Sequence, residues 1–406
     1  MIVTPVAFSD PPLLNTIGVH QPWALRTVIE VRTDAGLTGL GESYGHAQHL
    51  EELRRCAPLL VGLDVFDING LHSRVAGVVD GASDQHQDPS SSRAVLQVFS
   101  PFEVAFLDLQ GHAIGRPVHD LLGGKVRDSV DFAGYLFYKW AAHPGAEADE
   151  WGAALDPAGI VEQARRMVAR HGFRSLKLKG GVLRPEEELE AVQELRTAFP
   201  DHPLRLDPNC AWTVATAREV ANRVEGLLEY LEDPTPGIAG MAAVAADSPV
   251  PLATNMCVVD FDHLPPALSQ GAVDVVLSDH HYWGGLTRST HLATICRTWG
   301  IGISMHSNSH LGISLAAMTQ LGAAMPHLTY AADTHAPWQS DSELLETPLR
   351  FVNGAVAVPD APGLGITLDP DALARLHQNY LACGIRQRDD TGYMRSIEPG
   401  FAPRRW

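Results

Sequence analysis

Ser175-Leu176-Lys177-Leu178-Lys179-Gly180-Gly181 is a short apolar run that carries two lysines two residues apart. In a strand, side chains at i and i+2 point the same way, so Lys177 and Lys179 share one face while Leu176 and Leu178 share the other. Two ammonium groups held close together each disfavour the other's charge, and partial burial adds to this. The pair therefore predicts one amine usable as a base near neutral pH. Taken alone, Lys-x-Lys reads more simply as an amphipathic edge strand with solvated lysines. The residues around it decide against that reading.

From Val130 onward, short apolar runs alternate with helical segments. The expected strands are Asp131–Tyr138, Ser175–Gly180, Leu204–Asn209, Leu228–Asp233, Pro251–Met256, Asp274–Asp279, Gly302–Ser307 and Tyr330–Thr334. Helical stretches such as Pro157–His171, Glu186–Phe199 and Ala215–Val224 lie between them. This alternation predicts a closed (β/α) barrel, with a doubly wound open sheet as the alternative. The barrel is favoured because polar residues gather at the C-terminal strand ends, where barrel active sites are built. Ala141–Leu155, acidic and rich in Ala and Gly, reads as a loop near the mouth.

Upstream, Leu25–Thr33 alternates like a strand, Asp34-Ala35-Gly36 supplies turn chemistry, and Leu37–Glu42 returns as a hairpin partner. Gly39-x-Gly41 is not a dinucleotide fingerprint, since the third glycine, Gly45, falls one position late. Apolar spacing is helical over Ala47–Gly77 and Ser100–Gly115, and the polar segment Asp80–Arg93 between them reads as a surface loop or a lid.

The strand ends carry the chemistry. Asp207, Glu232 and Asn255 close three successive strands, about one β/α unit apart. Two carboxylates and an amide oxygen are hard donors that suit Mg²⁺ with positions left for water or substrate. One such residue alone is more often a helix cap; the repetition favours the metal. Asp279 and His306 end the next two strands, across the ring from the lysines, where a carboxylate behind an imidazole raises its basicity. A structural His-Asp hydrogen bond is the plainer alternative.

The 406 residues carry a formal charge of −18, with 45% hydrophobic and 19% charged. That is enough chain for one large domain plus a smaller one. The charge argues against nucleic acid and anionic membranes as partners. No run of about 20 apolar residues occurs and no signal-peptide pattern opens the chain, so a cytoplasmic protein is expected. The five cysteines, Cys56, Cys210, Cys257, Cys296 and Cys383, have neither disulfide-framework nor zinc spacing.

Lys177-Leu178-Lys179-Gly180-Gly181, Leu206-Asp207-Pro208-Asn209, Glu232-Asp233-Pro234, Ala253-Thr254-Asn255-Met256, His306-Ser307-Asn308, Ile313-Ser314-Leu315-Ala316 and Asp333-Thr334-His335 resemble the glucarate dehydratase group of the enolase superfamily. The likeness runs from Asn15 and His20 through Gly134-Tyr135-Leu136-Phe137 to Arg388-Asp389-Asp390, nearly the whole chain. It implies a modified (β/α)7β TIM-type barrel over residues 128–364. An α+β capping domain would come from residues 1–127 and the C-terminal segment 365–406. It implies Mg²⁺ on Asp207, Glu232 and Asn255, Lys179 as base with Lys177 assisting electrostatically, and Asn209 helping to hold an enediolate. His306 with Asp279 would work on the opposite face. Asn15, His20, Tyr135, Asn308, His335 and Arg388 would hold the hydroxyls and distal carboxylate of an acid sugar, D-glucarate or a related aldarate. The expected reaction is α-proton abstraction and β-elimination of water by a homo-oligomer. A racemase or epimerase of a hydroxy acid is the runner-up, and a non-catalytic sugar-acid binder the third reading. Departures from the group's pattern are Ala94-Val95 in place of Thr-Thr, Cys210 in place of Gly, His280 in place of Pro, and the tail Phe401–Trp406.

Overall fold

The structure, a computed structural model, describes residues 1–79 and 89–406, the side chains of residues 89–92 excepted. The segment expected as a loop or lid, Asp80–Arg93, therefore lies outside the described residues except at its end.

The chain opens with β1 (Ile2–Ser9), the small hairpin β2 (Leu14–Asn15) and β3 (Gly18–Val19), then β4 (Trp23–Arg32) and β5 (Thr38–Tyr44). The expected hairpin is β4–β5, turned at Gly36, whose φ of +78 a side chain would resist. β1 adds on the other edge of β4 to give an antiparallel three-stranded sheet. Helices α1 (Ala47–Cys56), α2 (Ile68–Val79) and α3 (Pro89–Ile114) cover it, and Ile29, Val31, Leu53, Leu71, Phe99, Phe102 and Phe106 make a core of their own. Gly39 and Gly41 are glycines because α3 lies against β5. A Cβ on them would stand 2.2 Å from the Ala105 carbonyl and 2.0 Å from that of Pro101. The glycine pair is a packing device, not a nucleotide loop.

After the short α4 (Val118–Leu121) and β6 (Ser129–Asp131), seven strands build one parallel sheet: β7 (Gly134–Phe137), β8 (Leu176–Lys179), β9 (Leu204–Asp207), β10 (Tyr230–Glu232), β11 (Leu252–Thr254), β12 (Val275–Ser278) and β13 (Gly302–Met305). They pair in chain order, and α5 (Pro157–His171), α6 (Pro185–Ala198), α7 (Val214–Arg223), α8 (Gly237–Ala245), α9 (Leu264–Ser269), α10 (His280–Trp283), α11 (Gly285–Trp299) and α12 (Gly312–Ala324) fall after successive strands. Local chemistry sets their ends. Asp156 accepts a hydrogen bond from the Gly159 N–H to start α5, Pro157 occupies its first turn, and Gly172 ends it in the left-handed region.

The eighth expected strand, Tyr330–Thr334, is not formed as a strand. Its backbone still spans the gap: the Asp333 N–H donates to Met305 of β13, and the Ala133 N–H donates to Ala332 on the opposite edge. Each edge receives too few bonds for a ladder. β14 (Phe351–Val352) pairs with β15 (Ala355–Ala357), and β15 with β6, in a separate small sheet. The chain then returns to the N-terminal layer. α13 (Pro370–Ala382) lies on β1, with His377 bonded to the Pro5 carbonyl, and α14 (Asp390–Ile397) packs on the β2–β3 hairpin so closely that a Cβ at Gly18 would meet the Asp390 carbonyl at 2.5 Å. No helix among the described residues is long and apolar enough to cross a membrane.

Candidate active site

β8 is an interior strand, flanked by β7 and β9, so the solvated-edge reading fails. Leu176 and Leu178 enter the main core, while both lysines face inward. Lys177 is fully buried; its Nζ lies 2.6 Å from Glu232 Oε2, 2.7 Å from Asp333 Oδ2 and 3.6 Å from Asp207 Oδ2, and 4.6 Å above the Tyr135 ring. Burial alone would discharge this amine, but the carboxylates of Asp333 and Glu232 outweigh it and hold its pKa well above the ordinary lysine range. The mutual repulsion expected from Lys-x-Lys therefore does not make Lys177 a base; it is a fixed cation. Lys179 is part-exposed, with Nζ 2.7 Å from Asp207 Oδ2 and 2.8 Å from Asn209 Oδ1.

Parallel register brings Asp207, Glu232 and Asn255 to the C-terminal ends of the adjacent strands β9, β10 and β11. Asp207 is crowded with donors: Tyr135 Oη at 2.8 Å and Lys179 on Oδ2, the Asn209 N–H on Oδ1. Glu232 differs. It is fully buried and neither oxygen has a hydrogen-bond partner; even its 2.6 Å contact with Lys177 lacks hydrogen-bond geometry. Burial presses its carboxyl toward the neutral form, and Asp207 and Asp333 reinforce this against Lys177, so its pKa stands well above the usual carboxylate range. The two unpartnered Glu232 oxygens beside Asp207 are the acceptors this cluster leaves unmatched. Asp207, Glu232 and the Asn255 amide oxygen would hold a hard divalent cation, whose charge the donor set fits. Asp233 is turned elsewhere, accepting from Thr254 Oγ1 and the Asn255 N–H, which fixes the loop that carries Asn255. Asn209, Cys210 and Asp233 all sit at positive φ, a concentration of backbone strain at these strand ends.

Across the ring, Asp279 follows β12 and His306 follows β13. His306 Nδ1 lies 2.9 Å from Asp279 Oδ2, so its Nε2 is the nitrogen turned away from the carboxylate. Buried though it is, Asp279 is held well below the ordinary range by His281 and His306. Asp279, His280 and His281 come close enough to resemble a metal cluster. They do not form one, because His281 Nδ1 bonds Asp279 Oδ1 at 2.9 Å while its Nε2 faces the Arg26 guanidinium at 2.9 Å, which would repel a cation.

Asn308 Nδ2 bonds the hydroxyls of Tyr282 and Tyr44, and with Arg388 it lines a cavity of about 210 Å³ between the N-terminal sheet and the barrel, shared with Asp10, Arg26 and Tyr44. Asn15 and Arg388 meet on one carboxylate, Asp390. His20 pairs with Asp10 at 3.1 Å. His335 is buried and neutral, its pKa driven well below 6.5 by burial, and its Nδ1 has no partner. Tyr135 is placed differently from the expectation: its hydroxyl is committed to Asp207. Asp333, Asp390, Asp10, His281, Arg26 and Glu42 were given no role from sequence. Asp333 and Asp390 stand within quoted motifs, a usable signal. Nothing local marks Arg26 or Glu42.

Residues 2–123 match the mandelate racemase / muconate lactonizing enzyme N-terminal domain, and residues 159–372 the enolase C-terminal domain-like family. A probable glucarate dehydratase from Streptomyces coelicolor is 54% identical, covering 98% of this chain and 95% of that protein. The crystal structure of an enolase from Mycobacterium smegmatis complexed with tartrate has a TM-score of 0.96 and 63% identity, covering 100% of this chain and 97% of that one. Another, from Thermobispora bispora, complexed with magnesium and formate, has a TM-score of 0.97 and 61% identity over 100% and 98%. With both domain families accounted for and the strand-end groups in register, this chain belongs to the enolase superfamily, in its mandelate racemase/muconate lactonizing enzyme branch.

Proposed function

We propose that the protein is a hydro-lyase that dehydrates an acid sugar, D-glucarate or a related aldarate, with Mg²⁺ held by Asp207, Glu232 and Asn255. The observation that carries this reading is the placement of two acid/base groups on either side of that triad: Lys179 on β8, and the His306–Asp279 pair after β12 and β13. The likeness to a probable glucarate dehydratase supports the same class of substrate. The chemistry such an ion supplies is polarisation of a substrate carboxylate.

Lys179 takes the proton from the carbon next to that carboxylate. Lys177, buried and charged, offsets the negative charge that develops, and Asn209 adds an amide on the same side. His306, oriented through Nδ1 by Asp279, donates from Nε2 to the departing β-hydroxyl. One C–H and one C–O bond break, and water and a keto-deoxy acid leave. On α3, Val95 is buried in the apolar core and Ala94 is half-buried against it; neither side chain has a hydroxyl, and the diacid accepted must be one that does without it.

Incubating a panel of aldarates with the protein and Mg²⁺ tests the reading. Dehydration yields a semicarbazide-reactive keto acid. Epimerisation without keto acid would replace it with the racemase reading, and turnover of no aldarate would overturn the dehydratase reading.

A further inference from the structure

We propose that Arg26 and His281 are positioning residues for the His306 face, with Arg26 of the N-terminal sheet fixing the tautomer of His281 and His281 in turn clamping Asp279 behind His306. The inference rests on the two-faced acid/base reading above.

The chain of contacts is continuous and buried. Asp279 Oδ2 meets His306 Nδ1; its Oδ1 accepts both the backbone N–H and Nδ1 of His281, each at 2.9 Å. On the far side of the ring, His281 Nε2 lies 2.9 Å from Arg26 Nη2 and 3.2 Å from Ser314 Oγ. A guanidinium has no acceptor and does not deprotonate, so Arg26 must donate and Nε2 must be bare. The His281 proton is then on Nδ1, where it donates to Asp279. Ser314, which can donate or accept, could not impose this choice alone.

Arg26 is itself held. Its Nε donates to Glu42 Oε1 at 2.8 Å; Glu42 also accepts the N–H groups of Leu311 and Ser314, each at 2.8 Å, at the start of α12. Both side chains of this pair are buried. One ion pair thus docks the β4–β5 hairpin on the barrel and sets the protonation pattern behind the catalytic imidazole. Two donors on Oδ1 stop the Asp279 carboxylate from rotating, which leaves Oδ2 aimed at His306. The proposal also gives His281 a use outside metal binding.

Two measurements test this. In the resting protein, ¹⁵N-labelled histidine resolved by long-range ¹H–¹⁵N correlation should show His281 protonated on Nδ1 and bare on Nε2. A proton on Nε2, alone or together with Nδ1, overturns the proposal without reference to any substrate. The second measurement follows exchange of the α-proton in deuterium oxide for two aldarates epimeric at that carbon. His281→Phe should slow exchange of the epimer served by His306 by about tenfold or more while leaving the epimer served by Lys179 within about twofold, since only one base loses its support. His281→Asn, which keeps a donor toward Asp279, should recover part of the loss. Equal slowing of both epimers would mean a structural role and overturns the proposal. If the unsubstituted protein exchanges neither epimer, the aldarate reading fails, and the tautomer measurement still decides the inference.

Discussion

The two sides of the candidate site are anchored differently. Lys177 and Lys179 are held by carboxylates and an amide from neighbouring barrel strands and their ends, Asp207, Glu232, Asn209 and Asp333. His306 is held through Asp279 and His281 by Arg26 and Glu42, which belong to the N-terminal sheet. The lysine side is thus complete within the barrel, whereas the histidine side is complete only when the N-terminal layer is docked. A site of this kind can lose one face of its chemistry while the other stays assembled.

The largest expected effect tests what the two sides share. Exhaustive chelation should abolish turnover, and Glu232→Gln should lower kcat by about 10³-fold or more, because several kcal/mol of stabilisation of the developing charge is lost. Full activity after chelation, measured with metal analysis of the same sample, would remove Mg²⁺ from the assignment.

Next come the bases themselves. His306→Asn should lower dehydration by about 10²–10⁴-fold and abolish α-proton exchange for one epimer, while Lys179 still exchanges the other. Lys179→Ala should show the reverse preference in exchange. Dehydration of both epimers at the unmutated rate by His306→Asn would break the division into two faces.

The same division explains what was legible in the sequence. Lys179, Asp207 and Glu232 each end a strand and Asn255 directly follows one, so parallel register alone brings them together, and period-2 alternation placed Lys177 and Lys179 on one face. The hairpin β4–β5 and helix α5 were legible from turn and cap residues. Tyr330–Thr334 was not, since its apolar pattern says nothing of how few ladder bonds its neighbours can offer. Nor was the charge state of Lys177: two lysines in a row of seven residues suggest repulsion, but three carboxylates distant in sequence decide it. Arg26 was invisible as a site residue because its partner His281 lies 255 positions along the chain.

A smaller effect sharpens the lysine half of the comparison. Lys177→Met removes the one buried cation that Asp207, Glu232 and Asp333 share, and losing one partner of a buried pair costs about 3–5 kcal/mol. Thermal unfolding should show most of that loss in chelator and less of it in excess Mg²⁺, where the ion takes over part of the compensation. The same destabilisation with and without Mg²⁺ would mean that the ion does not sit among these carboxylates.

The smallest effect concerns the N-terminal layer and comes from pH. His46, just before α1, has its pKa lowered to about 4 by burial and by the nearby charges of Arg388 and Arg26, against Asp390. His49, within α1, is lowered to about 3 by burial, then by His46, Arg26 and His281. In the unfolded chain both imidazoles titrate near 6.5. Below that pH the unfolded chain binds protons that the folded one refuses, so stability falls as pH drops from 6.5 toward 4, and His49 continues the fall toward 3. Above 6.5 neither group contributes a slope. Acidification from pH 7.5 to 5 should therefore lower the unfolding temperature, by an amount corresponding to about 2–4 kcal/mol for the two groups together. His49→Gln, which cannot be protonated, should flatten that dependence. Because both histidines sit beside the layer that carries Arg26, the acid-weakened protein should lose backbone amide protection in β4 and β5 before it loses it in β8 and β9. Loss of protection in both sets of strands at the same pH would show that the N-terminal layer does not come away independently of the barrel.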